Sequence, residues 1–318
     1  MSFIWAYIKS MRLYYAFVTG ISGWVGVAYY EYIAKEPVDI FKKATILIIL
    51  FLSWGINQIF NDYLGLKEDK INAPLRPMVT GELPPNRALI TSAILLLVSF
   101  FVMGIYLEPI AIIPALAGVL LNVVYEYAKG YGILGNIVFG IMISMSLAVG
   151  FFAAGPLEYP YISKTLLALI TIVAVINAVM TFYTYFKDYK GDKEAGKRTI
   201  VVKYGINNSR IIALIMAFIP SLSFIVLYPL VLADIKINEV FVFLVIISLV
   251  LQFWTGFLYY KYPEGEKAYY SLSTNFRTCS CAQAALIALF NPLLAMMLYI
   301  AAYVFVGFLF DLHSNSRA

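Results

Sequence analysis

The sequence predicts an all-α integral membrane protein: one domain over residues 1–318, folded as a bundle of nine transmembrane helices. Three observations predict it. Apolar residues make up 62% of the chain and charged residues 13%, against about 25% charged in soluble domains. Mean hydropathy is +0.83. The apolar residues fall in runs of about 20 that are nearly free of charge, each long enough to cross a bilayer. Lipid offers backbone groups no hydrogen-bond partner, so spanning segments are helices or closed barrels. Barrel strands would alternate in segments of about ten residues, and these runs do not alternate.

The first span is read over 13–33, between Arg12 and Lys35. The second, 44–62, follows Lys42 and Lys43 and carries "ATILIILFLSWGINQIF" into the acidic stretch "NDYLGLKED". Spans three and four, 86–106 and 109–125, are parted by "LEP". The fifth, 132–155, lies between glycine-containing turns, and the sixth, 164–187, reaches from one lysine to another. Spans seven and eight, 207–231 and 238–260, are separated by Asp234 and Lys236. The ninth is read over 283–311.

Lysine and arginine in the loops set the orientation. Lys35, Lys42, Lys43, Lys164, Lys236 and Arg317 fall on one side, and the remaining bases fall on the side of the N-terminus. The N-terminus is therefore expected in the cytoplasm, and nine spans place the C-terminus on the opposite side. The net charge of +5 is this asymmetry and does not argue for nucleic acid. Residues 1–12 show no removable signal peptide. Cys279 and Cys281 are too close for an ordinary structural disulfide and too few for a zinc site. The single histidine, His313, lies in the C-terminal tail, which excludes chemistry built on a membrane-embedded imidazole.

Polar residues collect in two loops on one face of the membrane. In the first, Asn57, Asn61, Gly65 and Asp69 are four apart and share a helix face, with Asp62 beside them. In the second, "YTYFKDYKGDKEAGKRT", Asp188 and Asp192 are also four apart, among Lys187, Lys190, Lys193, Lys197 and Arg198. Two carboxylates one turn apart can reach one hard divalent cation. Mg²⁺ takes oxygen ligands and is commonly held by one or two carboxylates plus substrate phosphates. Bases between such faces suit the remaining phosphate oxygens.

These residues resemble the motifs of the UbiA superfamily of intramembrane prenyltransferases. The first segment resembles N-D-x-x-D-x-x-x-D, and "KINAPLRPMVTGELP" resembles the stretch ending in R-P-x-x-x-G. Tyr183, Lys187, Asp188 and Asp192 fit Y-x-x-x-K-D followed by D-x-x-x-D, and "GKRTIVVKYG" resembles the ending after it. The resemblance covers the whole chain. It implies a UbiA-type bundle with a central cavity capped on the cytoplasmic side, a prenyl diphosphate substrate drawn from the lipid bilayer, two or more Mg²⁺ ions, and no obligatory protein partner. It further implies that Asn61, Asp69, Asp188 and Asp192 hold the metal, with Asp62 and Tyr183 in support. Arg12, Arg76, Lys129 and Lys187 are the expected diphosphate contacts.

Gly65 departs from the motif, which carries Asp there. The pattern N-x-x-x-G-x-x-x-D resembles the terpene-cyclase branch of the superfamily, with Gly65 and Asn57 shaping the cavity. The leading expectation is accordingly a Mg²⁺-dependent cyclase acting on a C15–C20 prenyl diphosphate, geranylgeranyl diphosphate first. Tyr14, Tyr15, Trp54, Tyr125, Phe182, Tyr183, Phe253 and Trp254 are the aromatic candidates for stabilising its carbocation. The alternative is an intermolecular prenyltransferase acting on a quinone precursor, a porphyrin-like alcohol, a glycerol ether or another lipophilic acceptor. A cation transporter fits poorly, because its coupling acids belong near the midplane.

Overall fold

The computed structural model describes residues 2–157, 161–265 and 267–313. Among them the regular structure is helical, apart from an isolated bridge between Tyr131 and Arg198. In chain order the helices are α1 (Phe3–Met11), α2 (Ala16–Ala34), α3 (Ile40–Leu64), α4 (Leu66–Asn72), α5 (Pro77–Thr80), α6 (Pro85–Ile105), α7 (Ile112–Ala128), α8 (Ile133–Ala153), α9 (Lys164–Lys187), α10 (Tyr189–Glu194), α11 (Ile200–Met216), α12 (Ile219–Leu227), α13 (Glu239–Lys261), α14 (Ala268–Ile287) and α15 (Pro292–Leu312).

The long helices start where the sequence supplies an acceptor for their first N–H groups. Asp39 accepts from Phe41 and Lys42 at α3, Ser163 from Leu166 at α9, and Asn238 from Phe241 at α13. Asn291 accepts from Leu294 at α15, and Pro292 occupies its first position, where a missing N–H costs nothing.

Among the described residues, eight segments are long and apolar enough to cross a membrane. With α2 they correspond to the nine expected spans. Helix α8 is the axis of the bundle, buried between α2, α7 and α9. It meets α2 backbone to backbone: a Cβ on Gly26 would strike the Leu147 carbonyl, and one on Gly150 the Gly23 carbonyl. Small residues at a crossing let membrane helices approach this closely.

The last predicted span divides in two. Between α14 and α15 the chain turns at Ala288–Asn291, so 283–287 belong to a separate helix. Helix α14 packs against α2, α9, α13 and α15. It is rich in polar residues, with Ser271, Ser273, Asn275, Thr278, Ser280 and Gln283 all buried. Arg277, expected in a loop, lies inside it, 5.1 Å from the Tyr303 ring centroid. The described chain ends meet at one end of the bundle, where the ring centroids of Tyr14 and His313 are 6.0 Å apart. The sequence reading puts the two ends on opposite sides, whereas the described ends lie together here. Arg317, counted with the outer bases, lies outside the described residues.

Candidate active site

The two motifs sit where long helices give way to short ones. Helix α3 ends at Leu64, yet Gly65 N–H still bonds the Asn61 carbonyl (2.8 Å) and Asp69 N–H the Gly65 carbonyl (3.0 Å). This near-helical continuity keeps Asn57, Asn61, Gly65 and Asp69 on one face, as their spacing predicts. Helix α9 ends at Lys187 and α10 begins at Tyr189, with Asp192 N–H bonded to the Asp188 carbonyl at 3.0 Å.

These ends enclose a pocket of about 840 Å³ of empty space. Arg12, Asn61, Asp62, Gly65, Asp69, Arg76, Lys129, Lys187 and Asp188 all line it. Asp192 stands just behind, fully buried. Gln58, Glu68, Asn72 and Glu126 are polar lining residues not anticipated from the motifs, and Thr181 and Thr184 join them. So does Lys197, expected only as one of the bases around the second motif. Spacing could have found Gln58, one turn before Asp62; nothing in the sequence brings Glu126 of α7 to this point.

Each carboxylate is held against a base. Asp62 accepts from Arg12 at 2.5 Å and from Gln58 at 2.9 Å, and Arg76 lies 3.5 Å from the same oxygen. Arg12 reaches it from a left-handed backbone conformation (φ 50°) that ends α1, a costly geometry for a residue with a Cβ. Arg76 also pairs with Asp69. Lys129 lies 3.3 Å from Asp188 and 2.9 Å from Asp192. Lys197 lies 3.0 Å from Glu68 and also pairs with Glu126. Among the described residues, Lys187 reaches the pocket without a carboxylate partner.

Burial and charge set the acidities. Burial lifts Asp69 to about 6, helped by the charge of Asp62 and opposed by Arg76. Burial likewise lifts Asp192 to about 6, against Lys129. Asp188 is desolvated too, but Lys129, Lys187 and Arg76 outweigh that and hold it below the usual carboxylate range. Burial works against the Lys129 cation, yet Asp188 and Asp192 raise its pKa well above that of a free lysine.

The oxygens suit a hard divalent cation. Asn61 Oδ1 and Asp192 Oδ2, one in each motif, are buried without a hydrogen-bond partner, an arrangement that costs free energy unless something else binds there. Among the described residues no three acidic, histidine or cysteine side chains converge on one point. The set therefore fits Mg²⁺ whose coordination is completed by ligand oxygens, the arrangement typical of phosphate substrates.

An apolar chamber of about 710 Å³ adjoins the pocket and shares Trp54, Gln58 and Asn61 with it. Ile49, Leu50, Phe100, Met103, Val119 and Met142 are among its walls. Asn57 belongs to this chamber, its carbonyl accepting from Asn122 at 3.1 Å.

Several expected site residues lie elsewhere. Tyr183 does not reach the pocket. Its hydroxyl donates to the Ala213 carbonyl at 2.7 Å and its ring stacks on Tyr259, so it ties α9 to α11 and α13. Phe182 is fully buried in the same cluster. Phe253 and Trp254 are about half exposed on the outer surface, where a membrane helix meets lipid. Tyr14, Tyr15, Trp54 and Tyr125 do line the pocket. Tyr15 and Trp54 stack at 4.6 Å with planes 11° apart.

Comparison with known proteins bears on the family and the fold. A digeranylgeranylglyceryl phosphate synthase of Sulfurisphaera tokodaii is 29% identical over 225 residues, covering 68% of this chain and 78% of that protein. The corresponding enzyme of Sulfolobus acidocaldarius is 27% identical over 216 residues, covering 66% and 74%. Among solved structures, a UbiA homologue from Archaeoglobus fulgidus bound to DMAPP and Mg²⁺ superposes with a TM-score of 0.64 at 15% identity, over 92% of this chain and 99% of that one. The family profile described as the UbiA prenyltransferase family matches residues 21–278, a stretch that holds both acidic motifs and most of the bundle, and the chain belongs to that family.

Proposed function

We propose that this protein transfers a prenyl group from a prenyl diphosphate to a hydroxyl of a lipid-like acceptor, with Mg²⁺ as its metal. The observation that carries the reading is the junction of a base-lined polar pocket with an apolar chamber at Trp54, Gln58 and Asn61. A diphosphate head fits the first space and an isoprenoid tail the second. The relatives support transfer over cyclisation, and their name points to a glyceryl phosphate carrying isoprenoid chains as the acceptor class.

Lys187, without a carboxylate of its own, receives the diphosphate, and Arg12, Arg76 and Lys129 surround it. Asn61, Asp69, Asp188 and Asp192 would hold Mg²⁺, which when bound would supply the electrophilic pull that lets the diphosphate leave. Charge balance favours two ions. Asp62, Glu68, Asp69, Glu126, Asp188 and Asp192 exceed Arg12, Arg76, Lys129, Lys187 and Lys197 by one negative charge. A diphosphate adds about three more, and two divalent cations neutralise the sum. Tyr15, Trp54 and Tyr125 offer ring faces to the allylic cation, each worth about 0.5–2 kcal/mol in a dry site. The buried aromatic wall they share with Phe139 keeps water from capturing it. We place the pocket end, and both described chain ends, at the cytoplasmic face, where most of the bases lie.

The test is incubation of the purified protein with Mg²⁺ and geranylgeranyl diphosphate, with and without a glyceryl phosphate bearing one geranylgeranyl chain. Mass spectrometry should show a doubly prenylated product that requires both substrates and vanishes with EDTA. A cyclic hydrocarbon or alcohol formed from the diphosphate alone would replace transfer with cyclisation.

A further inference from the structure

The carboxylate that the first motif lacks at Gly65 has a neighbour. A Cβ built on Gly65 lies 3.7 Å from Glu126 Oε1, and its only closer contact is the Asn61 carbonyl at 3.1 Å. Glu126 comes from the last turn of α7 and lines the same pocket as Gly65. One turn earlier on the same face, Asn122 donates to the Asn57 carbonyl of α3 at 3.1 Å, which fixes α7 against the motif helix. Asn61 Oδ1, one turn before Gly65, is buried with no hydrogen-bond partner. A carboxylate from α7 thus stands beside the place where the motif's Asp would project, and an unpartnered amide oxygen belongs to the motif helix one turn earlier.

We infer that Glu126 supplies, from α7, the metal-binding carboxylate that Gly65 no longer provides. The inference rests on the Mg²⁺-diphosphate reading of the pocket. Glu126 pairs with Lys197, which also holds Glu68 at 3.0 Å. Lys197 follows the second motif, so this pair already brings Glu126 to the gap between the motifs. An oxygen donor on α7 satisfies the cation as well as one on α3, because Mg²⁺ demands oxygen ligands in octahedral array and not a particular chain position. A small residue at 65 is then a requirement, since two unshared carboxylates in contact repel one another.

The test reads metal binding directly, by Mn²⁺ electron paramagnetic resonance on purified protein loaded with an unreactive prenyl thiodiphosphate. Glu126→Gln is expected to weaken Mn²⁺ binding by about tenfold or more, the usual scale for losing a group at a metal site. Gly65→Asp combined with Glu126→Gln should restore most of it. Lys197→Met breaks the same ion pair but keeps the carboxylate, and should leave binding equal or tighter. Wild-type binding by Glu126→Gln, or no recovery in the double variant, overturns the inference. So does a loss in Lys197→Met equal to that in Glu126→Gln, since the ion pair and not the ligand would then matter. Failure of the wild-type protein to bind Mn²⁺ overturns the Mg²⁺-diphosphate reading itself, and this inference with it.

Discussion

Asn72 and Gly191 join the two acidic motifs. The Asn72 side chain accepts the Gly191 N–H at 2.8 Å and donates to the Asp188 carbonyl at 3.2 Å. A Cβ on Gly191 would lie 2.6 Å from Asn72 Cγ, so only glycine lets α10 come this close to α4. One amide thus sets the spacing between the acidic faces of α3–α4 and α9–α10. Asn72→Ala should lose two hydrogen bonds worth about 1 kcal/mol each and raise the Mg²⁺ concentration needed for half-maximal turnover. Gly191→Ala should act in the same direction and more strongly. A magnesium titration of both variants, with thermal unfolding as a control, checks this.

Asp188→Asn should abolish turnover. It removes a charge from the proposed metal site and leaves Lys129 with Asp192 as its nearest anion. The measurement is product formation across a Mg²⁺ titration. Turnover near the wild-type rate would remove Asp188 from the ligand set.

Arg12→Met should destabilise the protein by about 3 kcal/mol, the scale for stripping one partner from a buried ion pair. Asp62 is 2% exposed and would keep only Gln58 and the more distant Arg76. Arg12→Met together with Asp62→Leu should recover much of that loss, because no unpaired charge is left. Thermal unfolding in detergent distinguishes the two.

Metal binding should weaken as pH falls through 6. Asp69 and Asp192 both have pKa values raised to about 6. Protons and Mg²⁺ compete for the same oxygens, so affinity is full above this range and lost below it. Between pH 7 and pH 5 the apparent Mg²⁺ dissociation constant should rise by about tenfold or more. Had both acids kept ordinary carboxylate pKa values, the change over this interval would be slight.

Tyr183→Phe should leave turnover within about twofold of wild type and cost about 1 kcal/mol of stability. Its hydroxyl serves the Ala213 carbonyl, not the pocket. A large fall in kcat with unchanged stability would return Tyr183 to the chemistry.

The sequence by itself determined the class of the protein, the place of most of its helices, and the two acidic motifs. Lipid demands long charge-free helices, and residues four apart share a face in any helix, so both features can be read without knowing what packs where. Asn61, Asp69 and Asp188 reached the pocket for that reason, with Asp192 just behind it. Only the tertiary structure decided the rest. Helix α14 was hidden because it packs against four other helices, so polar side chains such as Ser271 and Asn275 bond the Tyr262 and Met180 carbonyls and its hydropathy carries no membrane signal. Tyr183 had the right spacing but the wrong side of α9. Glu126 comes from α7 while Asn72 and Lys197 belong to the two motif segments, and no periodicity within one segment reports which residue of another it will meet. Side chains brought together by packing are separated in sequence, and it is packing that set their partners, their burial and their charge.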